Sequence, residues 1–249
     1  MANPRIYQDQ LINIGDTVQL NDDGFGHVVR VLRLKQGDQV RLFNGISDAD
    51  GNLHDYHGIL SEVSKKQAFV QIQKREHKDV ESPLNIHLGQ GISRGDRMDF
   101  ALQKSVELGV NKITPLFTER CGVKLSGERL AKKHEQWQKI VISACEQSGR
   151  CFVPVVEKPI AIETWLAQQT SALKLNLHPK AQHSIMSLPN ENNRVRLLIG
   201  PEGGLSDAEI ASANECDFTD ILLGPRVLRT ETAALTAITA LQCRFGDLA

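Results

Sequence analysis

The sequence predicts an α/β chain in two parts, a small β-barrel of short strands followed by a parallel sheet with helices on both faces. Three observations carry this. Short apolar alternations broken by turn residues fill residues 17–73. From Leu84 onward, strand-like apolar runs alternate with helical periodicity, as in a parallel sheet covered on both sides. Near the end, two branched apolar runs stop abruptly at glycine: Leu197-Leu198-Ile199-Gly200-Pro201-Glu202-Gly203-Gly204-Leu205, and Ile221-Leu222-Leu223-Gly224-Pro225-Arg226.

In chain order, residues 17–20 alternate and Asn21-Asp22-Asp23-Gly24 reads as a turn. Residues 27–34 read as a second strand, with Val29, Val31 and Arg33 on one face and Val28, Arg30, Leu32 and Leu34 on the other, so Arg30 and Arg33 point apart. Lys35-Gln36-Gly37-Asp38 turns into 39–43, Asn44-Gly45 turns again, and 57–63 and 68–73 add strands. Residues 1–73 are thus expected as one domain, 74–83 as a polar, charge-balanced linker closed by Pro83, and 84–249 as the second domain. There, 84–88 is a strand with Gly89-Gln90-Gly91 as its turn. Residues 96–109 follow helical spacing through Met98, Ala101, Leu102, Val106 and Leu108, and Gly109 stops them. A strand at 112–117, a long amphipathic helix at 130–148, a strand at 153–156, a helix around 162–169 and a strand at 173–177 follow. Ser206 with Glu209 makes a capping box, and Thr230 is expected to cap the last helix, 233–245. The small residues of that helix permit close packing against the core or a partner chain.

Hydrophobic residues at 41% and charged ones at 24% place the chain among ordinary globular proteins. No apolar run approaches bilayer length and residues 1–10 lack a signal-peptide core, so no membrane partner is expected and the expected compartment is the cytoplasm. Cys121, Cys145, Cys151, Cys216 and Cys243 are scattered, odd in number and without C-x-x-C, which argues for reduced thiols and against a zinc site. His54-x-x-His57 has no further ligands nearby and reads as a loop feature, so no metal is expected. The net charge of −1 does not announce a nucleic-acid binder, but residues 83–150 carry eleven Lys/Arg against seven Asp/Glu. Phosphate contacts need local cations rather than a basic whole.

Gly200, Gly203, Gly204 and Gly224 let the backbone approach a ligand closely, at strand ends where open α/β sheets bind ligands. Neither turn ends in Gly-Lys-Ser/Thr, and neither matches G-x-G-x-x-G with an acidic residue about 20 positions on. A nucleoside held by backbone groups, without a triphosphate, fits better. Two ordinary strand-to-helix turns are the plain alternative; Arg226, Arg229 and Glu231 crowded beside them argue against it.

Gly200-Pro201-Glu202-Gly203-Gly204 together with Leu222-Leu223-Gly224-Pro225-Arg226-Val227-Leu228-Arg229-Thr230-Glu231-Thr232-Ala233 closely resembles the RsmE family. These are S-adenosylmethionine-dependent enzymes of the SPOUT superfamily that methylate N3 of a uridine in 16S rRNA. The resemblance continues through His27-Val28-Val29-Arg30-Val31-Leu32-Arg33, Gly37-Asp38, Gln103-Lys104-Ser105-Val106-Glu107-Leu108-Gly109 and Glu146-Gln147-Ser148-Gly149-Arg150; the C-terminal pair of motifs is the more specific. It implies a PUA-like RNA-binding barrel, a SPOUT domain whose C-terminal segment is threaded as a trefoil knot, and a homodimer. It implies cofactor contacts from Leu198, Ile199, Gly200, Glu202, Gly203, Gly204, Leu223, Gly224, Leu228 and Thr230. Arg229 is the candidate for stabilising the uracil oxygens, Glu231 for orienting that arginine or accepting the N3 proton, and Glu202 is a second candidate base. Arg30, Arg33, Arg97, Lys104, Arg120, Arg150 and Arg226 are the candidate RNA contacts. Ion pairing of Arg226 and Arg229 with Glu202 and Glu231 is the structural alternative. The expected substrate is 16S rRNA in the assembled small ribosomal subunit. A SPOUT enzyme acting on transfer RNA or ribose hydroxyls is disfavoured by the N-terminal match, and a non-catalytic RNA-binding module by the intact cofactor motif.

Overall fold

The computed structural model describes residues 3–78, 80–179, 181–189 and 193–248. The chain divides into two compact units, Met1–Glu81 with Cys145–Val153, and Ser82–Ala144 with Pro154–Ala249.

In the first unit, β1 (Arg5–Tyr7), β2 (Thr17–Gln19), α1 (Asp22–Phe25), β3 (Gln39–Phe43), β4 (Leu53–Val63) and β5 (Ala68–Lys78) follow one another. The strands form one sheet in the order β1-β3-β4-β5-β2, with β1 parallel to β3 and the other pairs antiparallel. Their inward residues, among them Ile6, Val18, Leu42, Leu60 and Val70, close on a single core with Phe25 and Val28. The strand expected at 27–34 is absent. Asn21 caps a helix instead, its side chain accepting from Gly24 N, and Asp22 and Asp23 occupy the first turn. The chain then continues as a π-helical stretch, Gly26–Val31. Arg33 turns out of it with φ +56°. Arg30 and Arg33 are both exposed at the end of this helical segment, not on opposite faces of a strand.

The expected linker at 74–83 is also corrected: β5 runs to Lys78 and pairs with β4, Tyr56 against Arg75 and Leu53 against Lys78. Asp79 of that stretch lies outside the described residues. The first unit moreover includes 145–153, which sequence reading assigned to the second domain. Buried Arg5 explains the assignment: its guanidinium holds Asp55, and also donates to the carbonyls of Cys145 (2.7 Å) and Arg150 (3.2 Å). The His54/His57 pair sits on β4, not in a loop; His57 Nε2 lies 2.8 Å from Glu76 Oε2. No cluster of three or more His, Cys, Asp or Glu among the described residues could hold a metal ion.

The second unit runs β6 (Asn85–Gly91), α2 (Asp96–Glu107), β7 (Lys112–Phe117), α3 (Gly127–Ser148, of which the residues from Cys145 on belong to the first unit), β8 (Val155–Val156), β9 (Ile160–Ala161), α4 (Ile162–Leu166), β10 (Leu173–Leu177), β11 (His183–Ser184), β12 (Arg194–Ile199), α5 (Asp207–Glu215), β13 (Thr219–Leu222) and α6 (Thr230–Phe245). The sheet order is β11-β13-β10-β12-β6-β7-β8, all parallel, with β9 pairing alongside the end of β7. Central β12 is buried from Val195 to Ile199, as a strand covered on both faces must be. Its one buried charge, Arg196, donates to Trp165 O and Gln168 Oε1, both at 2.7 Å, with its guanidinium 4.0 Å from the Trp165 ring centre. Leu198 packs with Trp165 and Leu166 of α4 and Ala213 of α5. Helix α6 is fastened to the end of α2 by Gln242, which donates to Leu108 O and accepts from Ser82. No helix among the described residues is long and apolar enough to cross a membrane.

Candidate active site

Strands β13, β10 and β12 are neighbours, so their carboxyl ends open on one place. There a cavity of about 500 Å³ is walled by the turn after β12, the segment between β13 and α6, residues 177–179 and the first turn of α6. That volume falls within the range of about 300–1,000 Å³ common for small-molecule sites.

The turn after β12 is built rigidly. The capping box is present, with Ser206 Oγ accepting from Glu209 N and Glu209 Oε2 from Ser206 N. Arg120 donates to the carbonyls of Gly203 (3.3 Å) and Leu205 (3.2 Å). A Cβ on Gly91 would stand 2.5 Å from Pro201 N, so only glycine admits this approach of β6 to the turn. Across from it, Gly224 takes φ +112°, closed to other side chains. Thr230 does not cap α6: the N-cap is Arg229, without a side-chain bond. The Thr230 hydroxyl instead ties the segments together, donating to Gly200 O at 2.6 Å and accepting from Gln90 Nε2 at 3.0 Å.

Of the residues expected at the site, Ile199, Gly200, Glu202, Gly203, Gly204, Leu223, Gly224, Leu228, Arg229, Thr230 and Glu231 line the cavity, with Arg97, Arg120 and Arg226. Leu198 does not; its side chain is fully buried in the core beneath α4 and α5. Lys104 is engaged with Glu107 at 2.7 Å on α2. Arg150 is 4% exposed and bound to Glu81 in the first unit, a structural pair and not a free RNA contact. The wall after β10, with Asn176, Leu177, His178 and Pro179, was missed. Its one signal was an apolar run stopping at His178-Pro179, and nothing local tells that this run neighbours β12.

The charges sort themselves. Glu202 accepts from Arg94 N (2.8 Å) and Arg97 Nη1 (3.1 Å). Burial alone would raise its pKa, but these donors outweigh it and hold the carboxyl below the usual range. Arg226 and Arg229 are exposed, and no carboxylate among the described residues pairs with them. Glu231 Oε2 is buried without a partner among the described residues. The expected pairing of these arginines with Glu202 and Glu231 is therefore not formed.

Residues 80–242 match the family model described as RNA methyltransferase domain, and residues 20–73 the one described as RNA methyltransferase PUA domain. The chain belongs to the RNA methyltransferase family. The methyltransferase is 42% identical over 246 residues to the ribosomal RNA small subunit methyltransferase E of Buchnera aphidicola (subspecies Schizaphis graminum), covering 98% of both chains. It is 30% identical to the protein of that name from Bacillus subtilis, covering 93% of this chain and 92% of the relative. The crystal structure of a ribosomal RNA small subunit methyltransferase E from Neisseria gonorrhoeae, bound to S-adenosyl methionine, superposes with a TM-score of 0.91 at 40% identity over all of both chains. The methyltransferase thus has the SPOUT architecture behind a PUA domain, as its C-terminal motifs led one to expect.

Proposed function

We propose that the methyltransferase binds S-adenosylmethionine in the cavity at the ends of β10, β12 and β13, and methylates N3 of a uridine in the 16S rRNA of the small ribosomal subunit. The observation that carries this reading is a buried Glu231 oxygen in a cavity whose lip carries Arg229, both without a partner among the described residues. The cavity suits the cofactor: its size fits and its turns offer backbone groups. When bound, the cofactor supplies an electrophilic methyl carbon on a sulfonium. In this reading, Ile199, Gly200, Gly203, Gly204, Leu223, Gly224 and Leu228 hold it, and Thr230 keeps the two turns together.

Uracil N3 must lose its proton as its electron pair takes the methyl group, and negative charge develops on O2 and O4. Glu231 accepts that proton, and the Arg229 guanidinium faces the developing charge; a positioned base contributes roughly 10²–10⁴-fold. Glu202, whose oxygen is occupied by Arg94 N and Arg97 Nη1 and whose basicity those donors lower, serves to hold Arg97 at the rim and not as the base. Arg97, Arg120 and Arg226 would meet RNA phosphates at the cavity, and Arg30 and Arg33 would do so from the first unit, with the domains divided as the units are. A homodimer working in the cytoplasm completes the reading.

Small subunits from cells lacking this activity, incubated with the protein and labelled cofactor, should gain N3-methyluridine at one position, read by mass spectrometry of mapped fragments. A ribose-methylated product, or methyl transfer to transfer RNA instead, would overturn the reading.

A further inference from the structure

One polar side chain in the cavity wall has no work in the mechanism above. Asn176 stands one residue before the end of β10, a strand otherwise made of Leu173, Leu175 and Leu177 with Lys174, and it is completely buried. It lies opposite Asp220 in the register of β10 and β13, so the two side chains share a face. Its Nδ2 donates to Asp220 Oδ1 at 2.7 Å. A carboxylate only accepts, so this bond fixes which end of the amide points where. The carbonyl end, Oδ1, is left buried and without a partner among the described residues, in a residue that lines the cavity. His178, two residues on and on the same face, stands with Nδ1 3.7 Å from Asp220 Oδ2 and lines the cavity too. A buried acceptor with no donor is costly to keep in a folded protein, and native proteins satisfy nearly all such groups. A carboxylate spent on aiming that acceptor implies that its donor arrives with a ligand.

We propose that Asn176, oriented by Asp220, accepts a hydrogen bond from the nucleoside half of the cofactor, an N–H of the adenine amino group or an O–H of the ribose, and so sets cofactor specificity. The inference rests on the cofactor reading given above.

Calorimetry on the full chain tests it with three probes: S-adenosylhomocysteine, its counterpart with hypoxanthine in place of adenine, and its 2′,3′-dideoxyribose counterpart. The wild type should bind at least one of the two altered probes about tenfold more weakly than the parent, the worth of one buried hydrogen bond. Asn176→Leu, similar in size but without the acceptor, should bind the parent about tenfold more weakly and no longer distinguish it from that altered probe. The probe that loses discrimination tells the amino group from the hydroxyls. Equal binding of all three probes by the wild type overturns the proposal, and this comparison does not depend on how the variant folds. Discrimination retained in a folded Asn176→Leu chain overturns it as well. If the wild type binds none of the probes, the cofactor reading itself fails; binding without discrimination sinks only the role of Asn176.

Discussion

Replacing Thr230 with valine probes the bridge on which the site depends. Thr230 is 5% exposed, and its hydroxyl makes two bonds, to Gly200 O at 2.6 Å and from Gln90 Nε2 at 3.0 Å. Valine keeps the shape and removes both. Gln90 Nε2 retains its bond to Gly91 O at 3.1 Å, so the group stranded most completely is the Gly200 carbonyl. One stranded buried acceptor plus one lost neutral hydrogen bond costs about 2–4 kcal/mol. In a chain of this size each kcal/mol lowers Tm by about 2–4 °C, so a fall of about 4–16 °C is expected. Thr230→Ser keeps the hydroxyl and should fall far less. Circular dichroism melts of the two variants check this, and calorimetry with S-adenosylhomocysteine should show weaker binding for valine but not for serine. A Thr230→Val melt within about 1 °C of wild type would refute the reasoning.

Two more outcomes follow from the charged groups. Arg229→Ala and Glu231→Gln should each lower kcat by roughly 10²–10⁴-fold while melting and S-adenosylhomocysteine affinity stay near wild type, and near-normal turnover by either rejects its assigned role. His87, bonded to Thr114 and touching Trp165, is held down to a pKa of about 3 by burial, with Arg196 and Lys112 adding repulsion. The unfolded chain takes up this proton below 6.5 while the folded chain resists it down to about 3. The contribution is therefore complete above pH 6.5 and is lost progressively as pH falls toward 3, amounting to about 2 kcal/mol at pH 5. Urea unfolding at pH 7 and pH 5 should show a steeper loss for wild type than for His87→Asn; equal slopes would exclude His87 as the cause.

How much of this was legible beforehand depended on how local the cause was. The strands at 112–117 and 173–177 were readable to the residue, because an apolar run bounded by turn chemistry contains its own explanation. So were the Ser206 capping box and the glycine stops after β12 and β13, which concern residues a few positions apart. The segment at 27–34 misled because Asn21-Asp22-Asp23 suits a turn and a helix start equally, and only packing of Phe25 and Val28 into the core chooses the helix. Arg150 looked like a free cation until the fold brought Glu81 to it from 69 residues away.

The sequence by itself determined the two kinds of sheet, the two glycine bends and the family that their motifs signal, since each is written in short windows of residue type and spacing. Tertiary structure alone decided that β10 lies between β12 and β13, and hence that Asn176, His178 and Asp220 meet at the cavity. It also decided that Thr230 fastens one bend to the other instead of capping its helix. The physical reason is that strand order and hydrogen-bond partnership across a sheet are set by which buried surfaces fit together along the whole chain, and no stretch of sequence carries that information alone.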